Sequence, residues 1–321
     1  MDEHQRTPRY LIVIFVGILA IIGLGIWQKV SHRSSPVVLG AYSENISSKT
    51  TPPIVKFLQL PTPIANLSNP YIGARNATLI DDEAKYVLYS QAHTDQVPIA
   101  SITKVMTAVL VIDNNRLNDY VSMTADDIRV VGSNLGLSIG EQLKVSDLLK
   151  ALLIRSSNEA ANALARATSG SVEKFVDNMN KRARDMGLKK TSYGDPHGLS
   201  PESKSTAYEQ AILFSYALHY PLFREIIGTG ETTITSLDGK VHTLANSNRL
   251  ITNEMHFDGL IGGKTGYTPE AGHCLVTAAA RNNRTIVSVI LNTASPLNTA
   301  SAVESKKLLD WGFASYTWPL N

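Results

Sequence analysis

The longest apolar run of the chain lies close to its start. Residues 10–27 read YLIVIFVGILAIIGLGIW, eighteen positions without a charged side chain. A helix needs about 20 mainly apolar residues to cross a bilayer core, so this run predicts one transmembrane anchor behind a short tail, residues 1–9. The run ends in Trp27 and Lys29 rather than in a small-residue cleavage site, which favours an uncleaved anchor over a signal peptide.

A different pattern follows the predicted anchor. Residues 28–71 are rich in Ser, Thr and Pro and show neither the alternation of a strand nor the period of a helix. Such a composition is typical of a linker, so we interpret this stretch as a spacer. Regular patterns begin near Ile72 and continue to about residue 317, which predicts one folded domain, residues 72–317.

Within that domain, strand and helix patterns occur in blocks. Strands are predicted at 77–80 and 86–89, followed by a helix from after Pro98 to Asp113. Residues 121–188 read as mostly helical, with segments beginning near Ser122, Lys144, Ser157 and Ser171 and breaks at Gly170 and Gly187. Strand patterns return at 232–234, 259–267, 273–280 and 285–291, before a closing helix at 302–311. This order indicates an α+β fold whose sheet takes strands from both ends of the domain, with a helical insert between them.

Composition narrows the class of protein. Of 321 residues, 43% are hydrophobic and 18% charged, which excludes a disordered chain. The net charge is only +2 and the excess lies in the first 40 residues, so no nucleic-acid partner is expected. The single cysteine, Cys274, excludes an intramolecular disulfide and lies in an apolar strand pattern, where we interpret it as a packing residue. The eight histidines lack metal-binding spacing, so neither a metal nor a cofactor is expected.

The first candidate for chemistry is Ser101-Ile102-Thr103-Lys104, at the start of the helix after Pro98. Positions i and i+3 share one helix face, so the Ser101 hydroxyl and the Lys104 amine can come within hydrogen-bonding distance. This pair would supply a nucleophile and its base, because a lysine that is buried or near another cation can lose its proton near neutral pH. By itself, however, S-x-x-K often arises by chance.

Two further motifs follow along the chain. Ser156-Ser157-Asn158 opens a helical pattern, where it could also be a helix cap and nothing more. Lys264-Thr265-Gly266 lies on a predicted strand, where it could bind a carboxylate and an extended peptide or form an ordinary strand end. Taken together and in this order, S-x-x-K, S-x-N and K-T-G are the signature of penicillin-binding proteins and class A β-lactamases.

The chain resembles the low-molecular-mass penicillin-binding proteins of the D-alanyl-D-alanine carboxypeptidase type. The likeness also includes Asp195-Pro196-His197-Gly198-Leu199 and Gly263–Thr268, and it extends over residues 72–313. It implies the penicillin-binding and serine β-lactamase-like fold, an antiparallel sheet flanked by helices with a mainly helical inserted subdomain. It also identifies residues 72–317 as a serine DD-peptidase catalytic domain.

The resemblance implies a role for each residue of the first two motifs. Ser101 is expected to attack the carbonyl of the penultimate D-alanine of a peptidoglycan stem peptide and form an acyl-enzyme, with Lys104 as the proton acceptor. Ser156 would pass a proton to the leaving D-alanine, and Asn158 would hold the substrate amide and the Lys104 amine. β-Lactam antibiotics are expected to acylate the same serine and act as covalent inhibitors.

The third motif is expected to hold the substrate. By the same resemblance, Lys264 and Thr265 would bind the terminal carboxylate, and Gly266 would let the substrate backbone come close. The backbone N–H groups of Ser101 and Tyr267 would form the oxyanion hole. Many relatives add an Arg just before the last helix, but here Ser301 takes that position, so carboxylate binding would rest more on the third motif.

Two alternatives from other functional classes remain open. A serine β-lactamase would need a Glu that activates the deacylating water, and no E-x-x-L-N element occurs between Asn158 and Lys264. A non-catalytic penicillin-binding sensor or scaffold would keep the fold without turnover. Because peptidoglycan lies outside the cytoplasmic membrane, the resemblance implies a single-pass cell-membrane protein with an extracytoplasmic catalytic domain.

Overall fold

The fold is described over residues 60–64, 68–252 and 255–318 of a computed structural model. All of these residues belong to the second of the two units into which the chain divides, residues 57–321. The predicted tail and anchor, and the predicted spacer up to residue 59, lie outside the described residues. Among the described residues, no helix is long and apolar enough to cross a membrane.

The strands of the described residues are, in chain order, β1 (Thr62–Pro63), β2 (Ala74–Asp81), β3 (Val87–Gln91), β4 (Val97–Pro98), β5 (Tyr120–Ser122), β6 (Gln142–Lys144), β7 (Lys204–Ser205), β8 (Glu231–Thr235), β9 (Val241–Ala245), β10 (Leu260–Thr268), β11 (Gly272–Arg281), β12 (Arg284–Thr293) and β13 (Tyr316–Thr317). The α-helices are α1 (Lys104–Asp113), α2 (Ala125–Ile128), α3 (Val145–Lys150), α4 (Asn158–Ser169), α5 (Val172–Asp185), α6 (Ala207–Ala217), α7 (Pro221–Gly228) and α8 (Ala300–Ser315). A 3-10 turn, Ala100–Thr103, precedes α1, and a π-helical turn, Ala151–Arg155, follows α3.

Five strands form the central sheet. Their order is β10-β11-β12-β2-β3, and every neighbouring pair is antiparallel. The first strands of the domain therefore occupy one edge and β10 the other, while most of the helices lie between β3 and β10 along the chain. The predicted α+β arrangement, with strands from both ends and a helical insert, is confirmed.

Alternation along the strands divides the core between the two faces of the sheet. In β12, Val287 and Val289 belong to a large cluster that includes α1 and α6, whereas Ile286 and Ile290 belong to a smaller cluster that includes α8. Successive side chains of a strand point to opposite faces, so helices cover the sheet on both sides. Burial on both faces makes the sheet a rigid support for residues on its edge strand, β10.

The helical insert surrounds α1, whose side chains are almost all buried. Packed against α1 are α4 and α6. The predicted helix starts near Ser157 and Ser171 are confirmed, because both side chains cap a helix by accepting a backbone N–H. Gly170 ends α4 in a left-handed conformation, as its position as a break predicts.

Other parts of the fold differ from the sequence prediction. The stretch 121–188 also contains the strands β5 and β6, which pair with each other. The sequence patterns did not predict α6 and α7. Since α6 contacts both the sheet and α1, apolar residues surround it and no one-sided helical period stands out. Inside the predicted spacer, β1 pairs with β13, so Thr62 lies opposite Thr317.

Candidate active site

Ser101 lies in the 3-10 turn that leads into α1. Its neighbours Ile99, Ala100 and Ile102 are buried, which fixes the turn to the core, while Ser101 itself is half-buried. Ala100 has a φ of 46°, in the left-handed region that residues other than glycine seldom adopt. This conformation sits directly before the predicted nucleophile, as strained backbone often does at functional sites.

Lys104 is fully buried and has three oxygen neighbours. Its Nζ lies 2.8 Å from Ser101 Oγ, 2.7 Å from Asn158 Oδ1 and 2.8 Å from the carbonyl oxygen of His197. A neutral amine has two N–H donors and one lone pair. The Asn158 and His197 oxygens can only accept, so they take the two N–H groups and leave the lone pair for the Ser101 hydroxyl.

The electrostatic environment favours that neutral form. Burial lowers the pKa of Lys104 well below its ordinary value, and the nearby charge of Lys264 lowers it further, while Asp195 raises it. A lysine of this kind can accept a proton near neutral pH, as the sequence predicts for a general base.

The second motif joins the helical insert to the site. Ser156 follows the π-helical turn with a left-handed φ of 64°, and its Oγ accepts a hydrogen bond from Lys264 Nζ at 2.9 Å. Asn158 is the first residue of α4 and is buried. Its Nδ2 donates to the Val131 carbonyl at 2.7 Å, so one amide side chain links Lys104 to the loop before β6.

The third motif lies on β10, at the edge of the sheet. Lys264 is fully buried, and burial lowers its pKa to about 7. Thr265 Oγ1 lies 2.5 Å from Ser247 Oγ. A Cβ atom at Gly266 would lie only 2.9 Å from the Ser101 backbone nitrogen, so glycine permits the close approach of β10 to the turn Ala100–Thr103, called here the Ser101 turn. Tyr267 is 57% exposed.

These residues border a cleft of about 750 Å³. Ser101, Ser156, Thr265, Gly266 and Tyr267 line the cleft, whereas Lys104 and Asn158 lie buried behind Ser101 and Lys264 lies buried beside Ser156. The structure thus brings together all eight residues that the sequence predicts for the site.

The cleft also contains residues that lie outside the three sequence motifs. Arg155 and Arg249 line it, as does Ser301, the residue at the position of the family Arg. Arg249 lines the same cleft as Ser247 and Thr265, whose hydroxyls lie 2.5 Å apart, so the cleft contains a cation outside the three motifs. The motif patterns gave no indication of Arg249, because it lies in the loop after β9, outside every motif.

Two further residues near the site differ in accessibility. Cys274 pairs with Gly266 across β10 and β11 but is fully buried, and burial raises the pKa of its thiol to about 12. It is a packing residue, as expected. His273 stacks on Tyr267 with ring centroids 4.4 Å apart.

Within the described part of the chain, no three His, Cys, Asp or Glu side chains form a group that could hold a metal ion.

Comparison with known proteins identifies the family. The sequence profile of the S11 peptidases, described as D-alanyl-D-alanine carboxypeptidase, matches residues 64–295. The chain belongs to this family. It is 35% identical to D-alanyl-D-alanine carboxypeptidase DacF of Bacillus subtilis over 77% of this chain and 64% of that protein. It is 36% identical to a D-alanyl-D-alanine endopeptidase of Pseudomonas aeruginosa over 69% of this chain and 72% of that protein.

Solved structures of family members share the fold. The DD-transpeptidase of Streptomyces K15 superposes with a TM-score of 0.73 at 29% identity, covering 77% of this chain and all of that one. A D-alanyl-D-alanine carboxypeptidase from Mycobacterium tuberculosis gives a TM-score of 0.72 at 29% identity over 80% of this chain and 99% of that one. The predicted penicillin-binding fold is therefore confirmed.

Proposed function

We propose that this protein is a serine-type D-Ala-D-Ala carboxypeptidase that removes the terminal D-alanine from peptidoglycan stem peptides. The observation that carries the proposal is the contact between Lys104 Nζ and Ser101 Oγ, with the other two Lys104 contacts directed to pure acceptors. This arrangement supports a hydroxyl nucleophile with a neutral lysine as its base. The family membership of the chain supports the same reaction.

Acylation begins when Ser101 Oγ attacks the carbonyl carbon of the penultimate D-alanine and its proton moves to Lys104 Nζ. The negative charge of the tetrahedral intermediate would be held by the backbone N–H groups of Ser101 and Tyr267. Two fixed donors of this kind contribute about 3 kcal/mol each to transition-state stabilisation. The contact of Gly266 with the Ser101 backbone supports this assignment, because it holds the two segments close together.

The C–N bond then breaks, and the amine of the leaving D-alanine takes a proton from Ser156. Ser156 regains this proton from the Lys104 ammonium, so the proton that left Ser101 ends on the free D-alanine and Lys104 is neutral again. Lys264 Nζ donates to Ser156 Oγ at 2.9 Å and holds that hydroxyl in place. Water next attacks the ester on Ser101, and the neutral Lys104 accepts its proton. The bond between Ser101 Oγ and the acyl carbon then breaks, Lys104 returns the proton to Ser101 Oγ, and the shortened peptide is released. β-Lactams would form the same ester on Ser101 and are therefore expected to inhibit the enzyme.

One experiment separates this function from its alternatives. The purified protein and its Ser101→Ala variant are incubated with a fluorescent penicillin and with a peptide ending in D-Ala-D-Ala. We expect stable label and D-alanine release, both lost in Ser101→Ala. Label without D-alanine release would indicate a sensor, rapid turnover of penicillin would indicate a β-lactamase, and absence of Ser101-dependent label would refute the proposal.

The terminal carboxylate would be bound by Lys264, Thr265 and Arg249. Arg249 supplies the cation that relatives carry at the position of Ser301, because it lines the same cleft as Thr265. We expect Arg249→Gln to raise KM for a D-Ala-D-Ala peptide about tenfold with a smaller change in kcat, as loss of one charge-assisted hydrogen bond predicts. A peptide with a C-terminal amide is the control, and an equal loss for both peptides would contradict the assignment.

The pKa of Lys264 predicts a pH dependence. With its pKa lowered to about 7 by burial, Lys264 is charged at lower pH and loses its charge as the pH rises through that value. Since kcat/KM reports the free enzyme, kcat/KM for a carboxylate-ended peptide should fall on the alkaline side near pH 7. Lys264→Arg keeps its charge, so its alkaline limb should move well upward. If Lys264→Arg leaves the alkaline limb of the profile unchanged, that limb reports the titration of a different group.

We further propose that residues 10–27 anchor the protein in the cell membrane as a single pass, with the catalytic domain extracytoplasmic. The uncharged run of eighteen residues supports the anchor, and the peptidoglycan substrate supports the orientation. A reporter enzyme that is active only outside the cytoplasm, fused after Asn321, should be active. Deletion of residues 10–27 should release the protein from membranes, and a reporter active only in the cytoplasm would contradict the proposed orientation.

A further inference from the structure

An acidic residue organises the turn behind Lys104. Asp195 begins the turn 195–200, and its carboxylate accepts backbone N–H bonds from His197 (2.9 Å), Gly198 and Ser200. Its Oδ2 also lies 3.2 Å from Nδ1 of the His197 imidazole. The carboxylate side chain is only 13% exposed. With so many donors on one buried group, the conformation of this turn depends on Asp195.

The turn contacts α1 at two points one helical turn apart. The His197 carbonyl accepts from Lys104 Nζ at 2.8 Å, and the Pro196 carbonyl accepts from Thr107 Oγ1 at 2.6 Å. These two carbonyls belong to the segment that Asp195 holds. The His197 carbonyl oxygen accepts the Lys104 hydrogen bond, and its orientation is therefore linked to the Asp195 carboxylate through two residues of backbone.

We propose that Asp195 is a positioning residue for the general base. It holds the His197 carbonyl on Lys104 Nζ, and its negative charge offsets the effect that the positive charge of Lys264 has on Lys104. This inference rests on the proposed function, in which Lys104 accepts the Ser101 proton. Asp195 does not touch the reacting atoms. It acts through the turn and through the electrostatic potential at Lys104.

The charges around the base explain why such a residue is useful. Burial and the neighbouring charge of Lys264 both lower the pKa of Lys104, and the Asp195 charge raises it. A base whose pKa falls too far is neutral but accepts a proton poorly, so an opposing carboxylate improves its proton affinity. Burial raises the pKa of Asp195, but the imidazole of His197 and the backbone donors outweigh burial and bring it to about 2. Asp195 thus stays ionised while Lys104 titrates.

The test is the pH profile of Ser101 acylation by a fluorescent penicillin. Without the Asp195 charge, Lys104 stays neutral down to a lower pH. The acid limb of the pH–rate profile should therefore lie at lower pH in Asp195→Asn than in the wild type. We expect the ratio of variant to wild-type acylation rate to rise at least about threefold between about pH 8 and pH 5.5. Thr107→Val is the matched control, because it releases the same turn without removing a charge and should lower the rate equally at all pH values.

A second variant separates the charge of Asp195 from the geometry of the turn. Asp195→Glu keeps the carboxylate but lengthens the side chain, so it should lower the rate by displacing the turn and leave the acid limb at the wild-type pH. If Asp195→Asn keeps the wild-type limb, or if Asp195→Glu moves the limb to lower pH, the inference is overturned. If wild-type protein labels no more than Ser101→Ala, the proposed function fails instead, and the two failures are thereby distinguished.

Discussion

Replacing Lys104 by methionine should lower acylation of Ser101 by about a thousandfold or more, which is the contribution of a positioned general base. Methionine has a similar length and suits the buried position, so the cleft should keep its shape. The rate is measured as covalent labelling by a fluorescent penicillin.

The control for this variant is stability. Lys104→Met leaves the oxygens of Asn158 and His197 without their donor, which should cost about 1–3 kcal/mol of unfolding free energy. Denaturant unfolding measures this cost, and labelling is then compared under conditions where both proteins are folded. Acylation within about tenfold of wild type would contradict the role of Lys104 as base.

Gly198→Ala should be among the most destabilising single substitutions in the domain, by about 3–5 kcal/mol. Gly198 has a φ of 89°, and a Cβ there would lie 1.9 Å from the Ala100 carbonyl oxygen. That oxygen is backbone, so it can move only if the turn that carries Ser101 moves with it. We therefore expect loss of acylation together with loss of stability, measured by denaturant unfolding and by penicillin labelling.

Gly187→Ala is its matched control. Gly187 also has a positive φ, 75°, but a Cβ there would meet nothing within 4 Å. Its substitution should cost only the left-handed strain of about 1 kcal/mol and should leave acylation unchanged. Equal destabilisation by both substitutions would show that contact with the Ser101 turn is not what makes Gly198 necessary.

Periodicity predicted the sheet well because its strands are long and pack on both faces. The strands β10, β11 and β12 are found close to their predicted bounds. Prediction failed where tertiary contacts determine the structure. The short strands β5 and β6 have only three residues each and depend on pairing with each other, and α6 is apolar on more than one side because it packs between the sheet and α1.

The site was predictable to the extent that its chemistry lies in side chains with fixed spacing. Ser101 and Lys104 meet because they are one turn apart, and this follows from sequence. The carbonyl of His197 could not be predicted as a partner of Lys104, since every residue has a carbonyl and only the turn at Asp195 directs this one. Arg249 lines the cleft from the loop after β9, and no local sequence pattern predicts the course of that loop.

The location of the third motif on an edge strand has a consequence for which molecules are attacked. In the described sheet, β10 has a partner only on the β11 side, and its other side faces the Ser101 turn and α7. An open strand edge can pair with the strands of other proteins, but here the Ser101 turn and α7 lie against part of this edge. A chain can pair with β10 only if it is thin and extended, as a short cell-wall peptide is. The proposed activity should therefore be directed to free, extended chain ends rather than to folded proteins.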